Sequence, residues 1–211
     1  DLSRKIFEDQ ATADRLKEIE SLDPVFDKRL WHELARANLL GVALPESVGG
    51  SGFGFFDLCL LLHESGRAVA PVPLLPTLAL GALPLARFGR HPEQADWLRK
   101  VSEGNAVLTA ALLEPGTSDF RTPQAVARRD GSNWRIEGAK TNVAAGPVAD
   151  ALLVPVQVEG GDVGEKIGTN KLWVLAVFSS AARAFDRPSV FGEKVDQHIP
   201  VVSLYLDHAA F

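Results

Sequence analysis

Apolar residues in the first half of the chain recur every three or four positions, the spacing of one face of an α-helix. Asp23-Pro24 is a helix-start signal, because proline suits the first helical position, and Gly41 is a stop signal. The same spacing predicts further helices over residues 56–69, 77–87 and 92–104. The apolar face of the first predicted helix comprises Phe26, Leu30, Trp31, Leu34 and Ala35.

The pattern changes after Gly104, where short runs rich in valine and leucine alternate with turn residues. Asp130-Gly131-Ser132 separates two such runs and predicts a hairpin. The chain is therefore predicted to be α+β and multidomain, with an all-α helical domain (1–104) followed by an antiparallel β-barrel or sandwich (105–211). The predicted strands cover residues 106–113, 125–129, 133–137, 151–158, 172–178 and 202–206.

The charge balance argues against partners that a basic surface would hold. The formal net charge is −5, so no nucleic-acid or membrane-surface partner is expected. The apolar stretch 71–85 contains four prolines, and no transmembrane helix is predicted. A single cysteine, Cys59, fits a reducing compartment, and a cytoplasmic location is the default expectation. The chain lacks methionine and stops at Phe211 after a strand-like run, so we expect it to be cut from a longer protein.

Composition and spacing alone indicate no chemistry. The five histidines do not combine with other ligands at metal-site spacing, and no metal is expected. The glycine-rich segment 49–54 lacks the lysine and hydroxyl residue of a phosphate loop and is interpreted as a flexible turn. Cys59 lies between leucines on a predicted helix and is interpreted as a core thiol.

Several sequence blocks together resemble one enzyme family. They are Leu30 to Gly50, Glu64 to Pro73, the turn Glu114-Pro-Gly-Thr-Ser-Asp119, and Gly138-Ala-Lys-Thr141 followed by Val148-Ala-Asp150. Their order and spacing resemble the N-terminal and middle domains of acyl-CoA dehydrogenases. The third block is similar to the Thr-Glu-Pro-x-x-Gly-Ser-Asp signature that opens the middle β domain of that family.

The resemblance implies FAD-dependent α,β-dehydrogenation of an acyl-CoA thioester. In the family a carboxylate takes the α-proton while the β-hydride passes to N5 of the flavin. That carboxylate usually lies in a C-terminal helical bundle, so the catalytic base is expected beyond Phe211, and no catalytic residue is assigned within this chain. Glu114 belongs to the signature turn and is interpreted as structural.

Two segments of the middle domain carry the flavin contacts that the resemblance implies. One is the signature turn, and the other is the segment where the family has Trp-x-Thr/Ser. Ser118 and Asp119 are also candidates for acyl-CoA contacts, with simple turn capping as the alternative. The residues assigned to the cofactor in this way are Leu113, Ser118, Asn142, Val143 and Ala144.

This sequence departs from the family at both segments. Leu113 replaces a threonine, Asn142 replaces the tryptophan, and Ala144 replaces the hydroxyl residue. A lost neutral hydrogen bond costs about 1 kcal/mol, and a lost stacked ring costs about 1 kcal/mol more. Together these losses predict FAD affinity weaker by about thirty-fold.

The departures leave more than one function open. The chain is interpreted as part of an FAD-dependent acyl-CoA dehydrogenase, with an electron-transfer flavoprotein as a candidate partner. The alternative is a degenerate, non-catalytic subunit of a heteromeric dehydrogenase, as in some bacterial members acting on steroid side-chain CoA esters. A free-standing acyl-CoA-binding module is a third interpretation. In each dehydrogenase case we expect a homo- or hetero-oligomer, because a middle domain without its bundle exposes an apolar face.

Overall fold

A computed structural model of the chain divides into two compact units, Asp1–Thr109 and Ala110–Phe211. This division follows Thr109, a few residues beyond the Gly104 boundary expected from the sequence. The residues that the structure describes are 2–89, 92–117, 119, 121–130, 133–158, 171–177 and 204–207.

The first unit is helical, as predicted. Among the described residues, no helix has the length and apolar content that crossing a membrane requires. A 3₁₀ turn covers Glu46–Val48, and a π-helix, Leu75–Ala82, runs directly into the fifth α-helix. The α-helices are α1 (Leu2–Gln10), α2 (Ala13–Glu20), α3 (Lys28–Arg36), α4 (Phe55–Arg67), α5 (Leu83–Phe88) and α6 (Pro92–Ser102).

Helix α3 begins later than the sequence predicted. The Asp27 carboxylate accepts hydrogen bonds from the amides of Arg29 and Leu30, at 3.0 and 3.1 Å, and so caps the helix. The Arg15 guanidinium binds the same carboxylate at 2.8 Å. The predicted start at Asp23-Pro24 is therefore wrong, since Asp27 satisfies the first amides. The predicted stop at Gly41 is also wrong, because the helix ends at Arg36.

The predicted apolar face of α3 forms the centre of the first unit. Leu30 and Leu34 are fully buried, and Trp31 is 1% exposed. The Trp31 indole Nε1 donates a hydrogen bond to the Gly104 carbonyl at 3.1 Å. The ring is therefore held by both packing and a buried polar contact.

The glycine-rich segment after α3 is a hydrogen-bonded loop. The Gly52 amide donates to the Leu44 carbonyl and the Phe53 amide donates to the Val42 carbonyl, at 2.9 and 3.1 Å. A Cβ added at Gly50 would lie 2.1 Å from the Leu44 carbonyl oxygen. The segment is therefore a loop, as interpreted; its flexibility stays a prediction, and close packing requires glycine at position 50.

Helix α4 buries one side and exposes the other. Leu58 and Leu61, three residues apart, point into the core, whereas Cys59 is exposed. The core-thiol interpretation of Cys59 is wrong, because one residue along a helix turns the side chain by roughly 100° away from the buried face. Phe55 and Phe56 at the start of the helix are 64% and 72% exposed.

The second unit contains most of a mixed sheet. Its strand order is β3-β2-β4-β5-β6, and β1, which spans the boundary between the units, pairs with β4 outside this path. All six predicted strand regions contain a strand. The strands are β1 (Leu108–Ala110), β2 (Val126–Asp130), β3 (Asn133–Glu137), β4 (Ala151–Val158), β5 (Lys171–Val177) and β6 (Leu204–Asp207).

One strand pair departs from the antiparallel prediction. Strand β2 runs parallel to β4, with Val126 opposite Gln157 and Ala127 opposite Val158. The chain returns along β3 and then crosses over through residues 138–150, a connection long enough for parallel pairing. Within the described strands the path is open, with β3 and β6 at its ends, so closure into a barrel or sandwich stays a prediction.

Candidate functional site

The two segments expected to face a flavin lie side by side in the second unit. Leu113 and Thr141 form an antiparallel β-bridge. The Thr141 amide donates a hydrogen bond to the Leu113 carbonyl at 2.9 Å. The structure thus brings the signature turn into contact with the segment that contains Asn142.

The signature turn is closed by its own backbone. The Thr117 amide donates to the Glu114 carbonyl at 3.2 Å, and the two residues form a β-bridge. Gly116 has a φ of 79°, which glycine adopts without strain. The Thr117 hydroxyl accepts a hydrogen bond from the Asp119 amide at 3.1 Å. The turn therefore has a defined shape, and its tip at Pro115 and Gly116 is exposed.

The Glu114 side chain reaches away from the tip and into the unit. Its carboxylate accepts hydrogen bonds from the amides of Gln124 and Ala125, at 2.6 and 2.9 Å. Lys140 Nζ lies 2.7 Å from Glu114 Oε1 and also donates to the Pro155 carbonyl at 2.9 Å. The two charged side chains are only 4% and 9% exposed. One buried ion pair therefore joins four stretches of the chain.

The environment of Glu114 keeps it ionised. Burial acts to raise the pKa of this carboxyl group. The hydrogen bond from Lys140 and the two backbone amides act against burial and prevail, so the pKa lies below its ordinary value. A carboxylate held in this way is a poor proton acceptor at neutral pH, which agrees with its interpretation as structural.

The segment after Lys140 forms an exposed loop beside the turn. Asn142 and Ala145 have φ values of 52° and 57°, and asparagine tolerates this left-handed region better than most residues. The Val143 carbonyl accepts a hydrogen bond from the Gly146 amide at 3.0 Å. Asn142 and Ala144 are exposed, and Val143 is half-buried. We call Leu113 together with residues 142–144 the candidate edge.

Four of the five residues predicted to contact a cofactor belong to the candidate edge; the fifth, Ser118, lies outside the described residues. The Asp119 carboxylate binds the Arg121 guanidinium at 2.9 Å, and this contact lowers the pKa of Asp119. Asp119 is thus engaged in its own turn, as the capping alternative described. Its role toward acyl-CoA stays a prediction.

Lys140 and Thr141 were not predicted to have a role, although both lie in the block Gly138-Ala-Lys-Thr141. Thr141 supplies the amide that joins the two segments, and Lys140 supplies the buried charge beneath them. The sequence does contain a signal for the ion pair: one family-like block carries an acidic residue, Glu114, and the next carries a basic residue, Lys140. Gly138 has a φ of 151°, and a Cβ there would lie 2.7 Å from the Ala125 Cβ, so this close approach requires glycine.

Comparisons with known proteins identify a family model and several similar proteins and structures. The family model described as acyl-CoA dehydrogenase, N-terminal domain, matches residues 1–105. Acyl-CoA dehydrogenase FadE27 of Mycobacterium tuberculosis (strain ATCC 25618 / H37Rv) is 37% identical over 150 residues, 71% of this chain and 39% of that protein.

Two solved structures resemble the chain over 83% of its length. The Tcur3481-Tcur3483 steroid ACAD G363A variant is 44% identical with a TM-score of 0.73, and the match covers 46% of that chain. The ChsE4-ChsE5 complex from Mycobacterium tuberculosis is 33% identical with a TM-score of 0.72, and the match covers 45% of that chain. The chain spans less than half the length of these relatives. It belongs to the acyl-CoA dehydrogenase family.

Proposed function

We propose that this chain supplies a flavin-binding edge to an acyl-CoA dehydrogenase that oxidises the α,β-bond of an acyl-CoA thioester. The observation that carries the proposal is the 2.9 Å hydrogen bond between the Thr141 amide and the Leu113 carbonyl. It joins the two segments whose family counterparts contact FAD. When bound, FAD supplies the hydride acceptor for the reaction.

The residues of the candidate edge fit FAD through backbone groups. Leu113 and Ala144 have no polar side-chain atoms, so a hydrogen bond from either residue to a ligand must come from its backbone. Asn142 and Ala144 are exposed, which gives a planar ring access to this loop. The role of these residues is to bind and orient the ring. Glu114 takes no proton from substrate, because its carboxylate is buried and already bound to Lys140.

A hydroxyl restored at position 144 tests this assignment. We expect Ala144→Ser to tighten FAD binding by about fivefold, because a new hydrogen bond contributes about 1 kcal/mol. Ala139→Ser is the matched control, since Ala139 is also exposed but lies outside the candidate edge. The measurement is the quenching of flavin fluorescence on titration of FAD with each purified chain.

Two results would count against the proposal. One is an equal change in affinity for the Ala144→Ser and Ala139→Ser chains. The other is the absence of FAD binding both for the chain alone and for its mixture with a catalytic chain of the same family. Near-equimolar flavin absorbance that survives gel filtration would support it.

The second candidate function is a non-catalytic subunit of a heteromeric dehydrogenase. Asn142 and Ala144 lack the ring and the hydroxyl that the family uses at these positions, which favours this candidate. Two of the similar solved structures are named as two-component proteins. A colourless chain that raises the activity of a homologous chain on mixing would support this alternative. A yellow chain that is active without a second chain would exclude it.

In both cases the chain is expected to associate with further protein. Phe53, Phe55 and Phe56 are 61%, 64% and 72% exposed, and three neighbouring exposed aromatic rings are unusual on a free protein surface. Light scattering of the purified chain tests the expectation. Oligomers or mixed complexes are predicted, whereas a stable, monodisperse monomer that binds no homologous chain would contradict it.

A further inference from the structure

The buried ion pair beneath the candidate edge has no role in the function proposed so far. Lys140 Nζ and Glu114 Oε1 are 2.7 Å apart, and both side chains are nearly inaccessible to solvent. Burying two charges is costly, and well-packed apolar residues of similar size are often as stable or more stable. General stability is therefore a weak explanation for this pair.

The position of the pair indicates a more specific role. Glu114 directly follows Leu113, and Lys140 directly precedes Thr141. The two residues that form the β-bridge are thus each adjacent to one member of the ion pair. Any movement that separates Leu113 from Thr141 must also stretch the 2.7 Å contact in a buried environment, where charge separation is strongly opposed.

The remaining contacts anchor the pair to the sheet. The Glu114 carboxylate accepts hydrogen bonds from the amides of Gln124 and Ala125, the two residues that directly precede β2. The Lys140 ammonium donates to the Pro155 carbonyl in β4. The pair therefore connects the two segments joined by the Leu113–Thr141 bridge to the start of β2 and to β4, which are neighbouring strands.

We propose that Glu114 and Lys140 are positioning residues that hold the Leu113–Thr141 bridge in register and so preorganise residues 142–144 for a planar ligand. The inference rests on the proposed function for the identity of that ligand, FAD. Neither side chain needs to touch the ligand. Their effect on binding is that the loop is already ordered before the ligand arrives.

The acidic and the basic residue of the pair are not interchangeable. A carboxylate at position 114 accepts two backbone amides, and an ammonium group has no acceptor. The exchanged pair Glu114→Lys with Lys140→Glu would therefore leave the amides of Gln124 and Ala125 without their partner. We therefore expect the double variant Glu114→Lys with Lys140→Glu to lose both the Leu113–Thr141 bridge and ligand binding.

The test is amide hydrogen exchange at single-residue resolution on the full chain, with Lys140→Met as the main variant. We expect exchange of the Thr141 amide to be at least about tenfold faster, because a buried hydrogen bond to a charged group is lost beside it. The Ala111 amide, which donates to the Leu153 carbonyl at 2.9 Å, is the internal reference and should change by less than about twofold.

Two further variants keep the test decisive. Glu114→Gln retains the shape and one acceptor oxygen, and serves if Lys140→Met does not fold. Arg128→Met is the matched control, because Arg128 pairs with Glu137 on an exposed face of the same unit. The control should leave the exchange of both amides unchanged.

Equal acceleration at Thr141 and Ala111, or no acceleration at Thr141, would overturn the inference. A loss of FAD affinity with unchanged Thr141 exchange would also overturn it, because Lys140 would then act on the ligand directly. Faster Thr141 exchange with about tenfold weaker FAD binding would support it. If the unmodified chain binds no FAD, either alone or mixed with a catalytic chain of the family, the proposed function fails, whereas the hydrogen-exchange comparison still decides the positioning role.

Discussion

The Thr141 amide donates to the Leu113 carbonyl at 2.9 Å, across a sequence interval that contains the whole β2–β3 hairpin. This bond converts two separate sequence blocks into one continuous edge. This edge has an exposed loop on one side and a buried ion pair on the other.

The Glu64 carboxylate in the first unit predicts an acid-sensitive contact between helices. It accepts hydrogen bonds from Arg4 at 2.9 Å and from Arg67 at 3.0 Å. Arg67 also pairs with Glu8, and His63 Nδ1 lies 3.7 Å from the Glu64 carboxylate. The Arg4 hydrogen bond, opposed by burial and assisted by Arg67, lowers the pKa of Glu64 from 4.5 to about 2.

The sign of the pH dependence follows from this depressed pKa. The stabilisation is fully present above the ordinary value of 4.5 and is lost as pH falls toward about 2. We expect Glu64→Gln to lower stability at pH 7 and to flatten its decline between these values. Urea unfolding followed by tryptophan fluorescence at several pH values measures this. Glu33→Gln, in an exposed pair with Arg36, is the control, and an equal flattening there would contradict the prediction.

Replacement by alanine is expected to have opposite effects on stability at two glycines of the first unit. A Cβ at Gly50 would lie 2.1 Å from the Leu44 carbonyl oxygen, so Gly50→Ala should cost about 2 kcal/mol or more. A Cβ at Gly66, within α4, would meet nothing within 4 Å. Gly66→Ala should therefore stabilise the unit by about 0.5–1 kcal/mol, because alanine favours helix. Thermal unfolding of both variants checks the contrast, and equal shifts would refute it.

Removal of two buried hydroxyl groups is also expected to change stability in different ways. The Thr77 hydroxyl is fully buried and makes no hydrogen bond to the described residues. Thr77→Val should therefore be neutral or stabilise the chain by up to about 1 kcal/mol. The Ser102 hydroxyl donates to the Val48 carbonyl at 3.0 Å, so Ser102→Ala should cost about 1 kcal/mol. Denaturant unfolding distinguishes them, and a larger loss for Thr77→Val would contradict the account.

The left-handed backbone at Asn142 predicts which residues the candidate edge tolerates. Its φ is 52°, a region open to glycine and asparagine but strained for β-branched residues. Asn142→Gly should leave stability nearly unchanged, whereas Asn142→Val should cost about 1–2 kcal/mol. Differential scanning calorimetry measures both. A valine variant as stable as the glycine variant would show that this loop does not keep its observed shape.

The sequence predicted the helical core well where several apolar residues share one face. Leu30, Trp31 and Leu34 are buried as the helical spacing requires. Helices α1 and α2 were not predicted, although Leu2 and Ile6, and Leu16 and Ile19, have helical spacing, because both segments are short and mostly polar and each buries a single residue. The start of α3 was misplaced because a proline signal was preferred to the capping carboxylate of Asp27.

The candidate site was predicted in outline only. Order and resemblance of the blocks located Leu113 and Asn142, since both are local sequence features. The ion pair of Glu114 with Lys140 was not predicted, because it joins residues 26 positions apart and depends on how β2 and β4 pair. The parallel pairing of β2 with β4 was also not predicted, because strand direction is set by the crossover connection and not by the apolar pattern.

Hydrogen exchange with and without saturating FAD is the most direct test of the candidate edge. The full chain would be measured alone and mixed with a catalytic chain of the family, with single-residue resolution at Leu113 and residues 142–144. We predict that FAD slows exchange at these amides and leaves exchange in helices α1 and α2 of the first unit unchanged. Unchanged exchange at the edge under conditions where FAD is demonstrably bound would contradict it.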